Sequence, residues 1–149
     1  MKKIMFVCHG NICRSPMAEF VTKKKLEERN IKALVESSAT SREEIGSGVH
    51  YGTRAILDRL GIYYSHKRAR QITKQDYDKF DYIVAMDRYN VTNLYRMLGG
   101  DPQGKITKLL DWAGIERDVA DPWYTGDFEK TYEDIEVGCT ALLDKIFGI

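Results

Sequence analysis

A cysteine, an arginine and a serine lie close together near the start of the sequence, where residues 8–15 are CHGNICRS. Five residues separate Cys8 from Arg14, and Ser15 follows. An arginine guanidinium can bind two oxygens of one phosphate, and a short loop entering a helix points several backbone N–H groups at an anion. A thiol in such surroundings loses its proton easily, and the Ser15 hydroxyl can donate to the sulfur. These residues therefore predict a cysteine nucleophile directed at a bound phosphate.

Two further residues of this segment suit a tight anion-binding loop. Gly10 permits a close approach of the backbone to a ligand. Asn11 is a residue type that tolerates the left-handed conformation, and its amide can brace the loop.

Simpler interpretations exist for each residue taken singly. A lone cysteine at the end of a strand is usually a small buried hydrophobic residue, and a lone arginine is usually solvated. A loop that only bound phosphate would not need Cys8. A zinc site from Cys8, His9 and Cys13 is disfavoured, because their spacing fits no usual ligand pair and no second cysteine pair follows. The combined spacing favours the phosphate site, and we expect no metal.

The flanking segments indicate how this loop is positioned. Residues 4–8 are short, continuous and mostly apolar, as in a buried strand, and residues 16–30 fit a helix with Pro16 in its first turn. The rest of the chain alternates similarly. Strands are predicted at residues 33–40, 81–86 and 105–112, and helices at residues 51–62, 73–79, 87–98 and 127–147. This alternation is typical of an α/β fold, a parallel sheet with helices on both faces, which binds ligands at the carboxyl ends of its strands.

Length and composition set the class of protein. A chain of 149 residues predicts a single domain, 1–149, and a net charge of +1 gives no reason to expect nucleic acid or an anionic membrane as a partner. No apolar run approaches the roughly 20 residues of a membrane helix, and the run after the basic start is too short for a signal peptide. Three cysteines, an odd number, argue against a disulfide framework. We therefore expect a cytoplasmic protein.

The segment CHGNICRSPMAE resembles the phosphate loop of the low-molecular-weight protein tyrosine phosphatases. The resemblance extends along the whole chain, through SSATSREEIG, HKRARQIT, DYIVAMDRYN and ADPWYTGDFEKTYEDIE. It implies a four-stranded parallel sheet with the phosphate loop between the first strand and the first helix. It also implies hydrolysis of phosphotyrosine in proteins, and of small aryl phosphates, through a cysteinyl-phosphate. No cofactor is implied, and inorganic phosphate is expected as product and competitive inhibitor.

By this resemblance the catalytic residues are Cys8, Arg14 and Asp121, and the loop residues that bind phosphate are His9, Gly10, Asn11, Ile12, Cys13 and Ser15. Asp121 matches the family's general acid, which protonates the departing tyrosine oxygen and later activates water. Pro122 is expected to hold the following loop rigid and extended. Taken from the sequence itself, Asp-Pro is a common turn pair and favours a turn cap at Asp121, and it is the resemblance that favours the general acid.

Trp123 and Tyr124 match the aromatic pair that walls the substrate ring, although the family often has tyrosine first. Glu43 and Glu44 fall in the loop facing that wall. Their charges are expected to disfavour acidic residues beside the phosphotyrosine, unless the loop is simply solvated.

Other matching residues have supporting roles. Ser37 and His66 match a hydrogen-bond network that braces the loop through Asn11, although His66 could also be an ordinary partly buried histidine. Asp87 matches a residue that holds Arg14 and can also cap the next helix. Cys13 is expected to pair with Cys8 on oxidation or to pack beneath the loop. Cys139 is expected in the core.

Three other functions are disfavoured. Thioredoxin-coupled arsenate reductases share the loop but need two further cysteines near mid-chain, and none lies between Cys13 and Cys139. Bacterial protein-arginine phosphatases typically have threonine where this chain has Ile12 and lack the full aromatic pair. A non-enzymatic phosphoprotein-binding module would not need intact Cys8, Arg14 and Asp121.

Overall fold

The computed structural model describes residues 1–148, and a four-stranded parallel sheet lies at its centre. The strand order is β2-β1-β3-β4. The strands are β1 Lys3–Cys8, β2 Leu34–Ala39, β3 Tyr82–Ala85 and β4 Ile106–Lys108. β1 is central and pairs with β2 as far as Cys8 beside Ala39. The predicted α/β fold is confirmed.

Six α-helices among the described residues connect and cover these strands. They are α1 Arg14–Glu28, α2 Tyr51–Arg59, α3 Lys74–Lys79, α4 Arg88–Leu98, α5 Pro122–Thr125 and α6 Phe128–Phe147. Within residues 1–148 no helix combines the length and the apolar character needed to span a membrane.

Apolar side chains from the strands form a hydrophobic core on each face of the sheet. On one face Ile4, Phe6 and Val84 pack against residues of α1 and α6, and on the other Met5 and Ile83 pack against residues of α3 and α4. Successive residues of a strand point to opposite faces, so continuously apolar strands require helices on both. All five of these side chains are fully buried.

The fourth strand is shorter than predicted. Residues 105–112 were expected to form one strand, but only Ile106–Lys108 pairs with β3, and Leu109–Ala113 forms a 3-10 helix. β3 itself ends at Ala85, so no hydrogen-bonding partner remains beyond Lys108. The apolar pair that suggested a longer strand, Leu109 and Leu110, is instead buried in the core that α6 also contributes to.

Candidate active site

The segment between β1 and α1 closes into a loop around the Cys8 sulfur. The sulfur accepts the backbone N–H of Asn11 at 3.3 Å and lies 3.0 Å from the Ser15 hydroxyl. Cys8 is buried, because it ends a central strand of the sheet. The loop therefore positions the sulfur, with a backbone N–H and a hydroxyl beside it, where it can act as a nucleophile.

Asn11 fixes the shape of this loop. Its φ of 58° is left-handed, as its residue type predicted, and the residue is buried. The side-chain amide donates to the hydroxyls of Ser15 at 2.8 Å and Ser37 at 2.9 Å. Its oxygen accepts the backbone N–H of Arg70 at 3.2 Å. The loop is therefore tied to α1, to β2 and to the segment that precedes α3.

A buried ion pair continues this network away from the loop. The Ser37 hydroxyl donates to the carboxylate of Glu19 at 2.6 Å, and the Lys67 ammonium lies 3.3 Å from the same oxygen. Lys67 also donates to the Ser37 carbonyl at 2.8 Å. Burial lowers the pKa of Lys67, and the opposing effect of Glu19 only partly compensates. Lys67 thus helps to hold Ser37 in place, both directly and through Glu19.

His66 does not take part in this network, contrary to the prediction. It is exposed and packs edge-on to Phe20 at 5.7 Å and face-on to Tyr63 at 5.4 Å. The segment HKRARQ was matched to a stretch of the form H-x-A-R-Q in the phosphatases it resembles, but it contains one residue more between the histidine and the alanine. Counting back from Ala69 puts Lys67 at the histidine position, and this count is the signal that would have identified it.

Arg14 is fixed by carboxylates on two sides. Only 3% of its side chain is exposed, and Nη2 lies 2.9 Å from Asp87 Oδ2 and 3.3 Å from Asp121 Oδ2. Nη1 donates to the carbonyl of Val119 at 3.2 Å. Burial works against the charge, but the Cys8 sulfur, Asp121 and Asp87 together raise the pKa of Arg14. The guanidinium therefore remains charged beside the sulfur.

Asp87 has both of the predicted contacts. While Oδ2 holds Arg14, Oδ1 accepts the backbone N–H of Asn90 at 2.8 Å at the start of α4. Asn90 in return accepts the Asp87 N–H at 3.1 Å, which completes a capping box. The end of β3 is thereby tied to the arginine.

Asp121 is held in a turn that differs from the expected one. An extended loop was predicted after Asp121, but Pro122–Thr125 forms one helical turn, closed by Gly126 with a φ of 70°. Proline suits the first helical position, where its missing N–H costs nothing. Asp121 caps this turn by accepting the Trp123 N–H at 3.0 Å, and its other oxygen faces Arg14. Asp121 therefore caps a turn, as the sequence itself allowed, and also lies beside Arg14 at the cleft.

A cleft of about 750 Å³ opens above the Cys8 sulfur. Trp123 and Tyr124 form exposed aromatic walls on one side, and Glu43 and Glu44 lie on the rim. The His9 ring lies 3.1 Å from the Glu43 carboxylate, so the rim loop touches the phosphate loop. The remaining lining residues are Gly10, Ile12, Cys13, Arg14, Asp87, Tyr89, Asn90, Asn93 and Asp121.

Sequence reasoning missed Tyr89, Asn90 and Asn93, which line the cleft from α4. Their signal was position, because all three follow Asp87 at the carboxyl end of β3, where a parallel sheet presents its ligand-binding residues.

Cys13 is a largely buried free thiol that lines the cleft. Burial, together with Cys8 and Asp121, raises its pKa to about 12. Cys13 is therefore protonated at neutral pH. Nowhere in the described part of the chain do three His, Cys, Asp or Glu side chains converge as metal ligands do.

Comparison with known proteins agrees with this geometry. Residues 3–147 match the family described as low molecular weight phosphotyrosine protein phosphatase. The chain is 44% identical over 152 residues to the low molecular weight protein-tyrosine-phosphatase YfkJ of Bacillus subtilis, covering 98% of this chain and 96% of that protein. It is 41% identical over 148 residues to PtpA of Staphylococcus epidermidis, another low molecular weight protein-tyrosine-phosphatase, covering 98% and 94%.

Solved structures show the same fold. The crystal structure of YfkJ superposes with a TM-score of 0.93 at 41% identity, covering 98% of this chain and 94% of that one. SP-PTP, a low molecular weight protein tyrosine phosphatase from Streptococcus pyogenes, superposes with a TM-score of 0.89 at 44% identity, covering 99% and 94%. The chain therefore belongs to the low molecular weight phosphotyrosine protein phosphatase family.

Proposed function

We propose that this protein, as a single domain of residues 1–149, hydrolyses phosphotyrosine in proteins, and small aryl phosphates, through a cysteinyl-phosphate. The observation that carries the proposal is the Cys8 sulfur at the floor of an aromatic-walled cleft, beside the buried and charged Arg14. A phosphate needs both a nucleophile and a cation that binds its oxygens, and the two are adjacent here.

In the first step the Cys8 thiolate attacks phosphorus, so that an S–P bond forms as the P–O bond to the tyrosine breaks. Arg14 and the N–H groups of the loop bind the phosphoryl oxygens, whose negative charge the transition state retains. The departing phenolate has a conjugate acid with a pKa of about 10, so it benefits from a proton donor. Asp121, protonated, supplies that proton from the capped turn above the loop.

In the second step water attacks the cysteinyl-phosphate. The Asp121 carboxylate, now ionised, accepts a proton from the water as its oxygen bonds to phosphorus, and the S–P bond breaks. The products are inorganic phosphate and the regenerated thiolate. Because phosphate occupies the same loop as the substrate, it is also a competitive inhibitor. His9, Gly10, Asn11, Ile12, Cys13 and Ser15 form that loop.

The aromatic lining of the cleft supports the choice of phosphotyrosine. An aryl phosphate can reach Cys8 while its ring packs between Trp123 and Tyr124. Phosphoserine is several atoms shorter, and its alkoxide is a poorer leaving group. Phosphoarginine is long enough, but the apolar Ile12 offers its guanidinium no hydrogen bond.

We also propose that the protein is cytoplasmic, since its three cysteines are all free, as is usual in a reducing compartment.

The test compares matched peptides that carry phosphotyrosine, phosphoserine or phosphoarginine. We expect the highest kcat/KM for phosphotyrosine, no turnover by Cys8→Ser, and no effect of chelators. Cys139→Ala is the matched control, because Cys139 is buried in the core away from the cleft. Turnover by Cys8→Ser would refute the mechanism. A kcat/KM for phosphoarginine equal to that for phosphotyrosine would refute the substrate while leaving the Cys8 chemistry intact.

A further inference from the structure

We propose that His50 is a positioning residue that fixes the Trp123 wall at its distance from the phosphate loop. This inference rests on the proposed function, in which the Trp123 ring contacts the aryl group of the substrate. His50 itself does not line the cleft. It connects three segments that do not adjoin one another in sequence.

The backbone of His50 is fixed to the phosphate loop. Its N–H donates to the carbonyl of Ile12 at 2.9 Å. The side chain caps α2, because Nδ1 accepts the backbone N–H of Gly52 at 3.1 Å. Burial and the nearby Arg54 lower the pKa of His50, with Glu44 opposing them. The ring is therefore neutral at pH 7, and Nδ1 keeps the lone pair that this cap requires.

The His50 ring also contacts Trp123, which lines the cleft, and Phe128. His50 stacks on Phe128, with the ring centroids 5.2 Å apart and the planes 13° apart. Trp123 meets it edge-on at 6.4 Å and 74°. Phe128 is the first residue of α6. The same histidine ring therefore touches residues 121–128, the segment that carries Asp121 and Trp123, near its start and at its end.

The stack cannot shift easily, because Phe128 lies directly over Gly52. A Cβ atom at position 52 would come within 2.3 Å of the Phe128 ring. α2 and α6 are thus in close contact here, and the His50 ring is held between them. A rigid support of this kind defines where the Trp123 edge can rest.

Trp123 has little other restraint. The residue is 68% exposed, and it is the second residue of a helical turn of four. Among the described residues, the aromatic ring that contacts Trp123 is that of His50. Without this contact the Trp123 side chain would sample more rotamers, and substrate binding would have to restrict them. The loss should therefore appear in KM rather than in kcat.

Two variants separate the two contacts of His50. His50→Asn keeps a side-chain oxygen that can cap α2 but removes the ring. His50→Phe keeps a ring but removes the acceptor. The quantities to measure are kcat and KM for a phosphotyrosine peptide, the inhibition constant of inorganic phosphate and the midpoint of urea unfolding. Phosphate is included because it binds only the loop.

For His50→Asn we expect KM to rise about two- to twelve-fold, the equivalent of one aromatic pair, with kcat and phosphate inhibition unchanged. For His50→Phe we expect KM within about two-fold of the parent and a lower unfolding midpoint. An unchanged KM in His50→Asn would overturn the inference. So would a parallel rise in the phosphate inhibition constant, which would mean that the loop itself had been disturbed.

A double-mutant cycle with Trp123→Ala tests whether His50 acts through Trp123. If it does, adding His50→Asn to Trp123→Ala should raise KM no further. Additive effects of the two substitutions would overturn the inference. Absence of phosphotyrosine turnover in the parent protein would instead refute the proposed function, so the two failures are distinguishable.

Discussion

Replacing Asp87 by asparagine is expected to lower kcat/KM by about 10–150-fold, because one amide cannot do the work of two carboxylate oxygens. In the parent, Oδ2 accepts from Arg14 at 2.9 Å while Oδ1 accepts the Asn90 N–H at 2.8 Å. Asparagine has a single acceptor and an NH₂ group. If its oxygen caps α4, its NH₂ faces the guanidinium, and two donors then oppose each other.

The magnitude follows from the contact that is lost. A hydrogen bond to a charged group contributes about 1.5–3 kcal/mol, and each 1.4 kcal/mol corresponds to a factor of about ten in rate. The loss should not exceed this range, because Arg14 keeps the Val119 carbonyl at 3.2 Å and Asp121 at 3.3 Å. The guanidinium would remain in the site but would be less well aligned for phosphoryl oxygens.

The assay is kcat/KM for a phosphotyrosine peptide, with urea unfolding measured in parallel. Asp118→Asn is the matched control: the Asp118 carboxylate accepts the Arg88 N–H at 3.2 Å at the same end of α4 and pairs with Lys108, and its contacts do not include Arg14. We expect it to retain activity within about two-fold of the parent, as surface substitutions usually do. Equal losses in both variants, or full activity in Asp87→Asn, would refute the role given to Asp87.

Three further predictions concern other parts of the site and core. Asp121→Ala should reduce turnover of ordinary aryl phosphates about 10²–10⁴-fold and give a steeper dependence on leaving-group pKa; equal slopes in single-turnover assays would exclude it as the acid. Lys67→Met should lower the free energy of unfolding by about 1–3 kcal/mol, measured in urea, because the Ser37 carbonyl loses its donor and Glu19 loses one of its two lysine partners; no change would remove Lys67 from the network. Burial raises the pKa of Cys139 from 9.0 to about 12, and burial together with Cys8 and Asp121 raises the pKa of Cys13 to about 12 as well. Both thiols are therefore easier to ionise in the unfolded chain, so the free energy of unfolding should be constant with respect to these thiols below pH 9 and fall above it, by at most about 1.4 kcal/mol per pH unit for each thiol. Cys139→Ala should remove the contribution of one thiol to this slope, and an unchanged slope would contradict the prediction.

Local sequence signals accounted for most of the fold and of the phosphate loop. The left-handed turn at Asn11 and the cap at Asp87 follow conformational preferences of asparagine and aspartate at those positions, so residue type and local spacing were sufficient to predict them. The strands of the sheet interior are continuously apolar and were found for the same reason.

The errors had two causes. The end of β4 depends on where β3 stops, which the sequence of residues 105–112 does not contain. The other two errors overlooked local signals: Pro122 suits a first helical turn, and counting back from Ala69 points to Lys67, the residue beside Glu19, and not to His66.

The left-handed backbone of Asn11 has a consequence for the thermodynamics of ligand binding. A non-glycine residue in this conformation costs roughly 1–3 kcal/mol, and here side-chain hydrogen bonds to Ser15, Ser37 and Arg70 offset that cost before any anion arrives. The ordering of the loop thus belongs to the folding reaction. An incoming phosphate meets N–H groups that are already aligned, so its binding energy is available for the reaction and is not consumed in organising the protein.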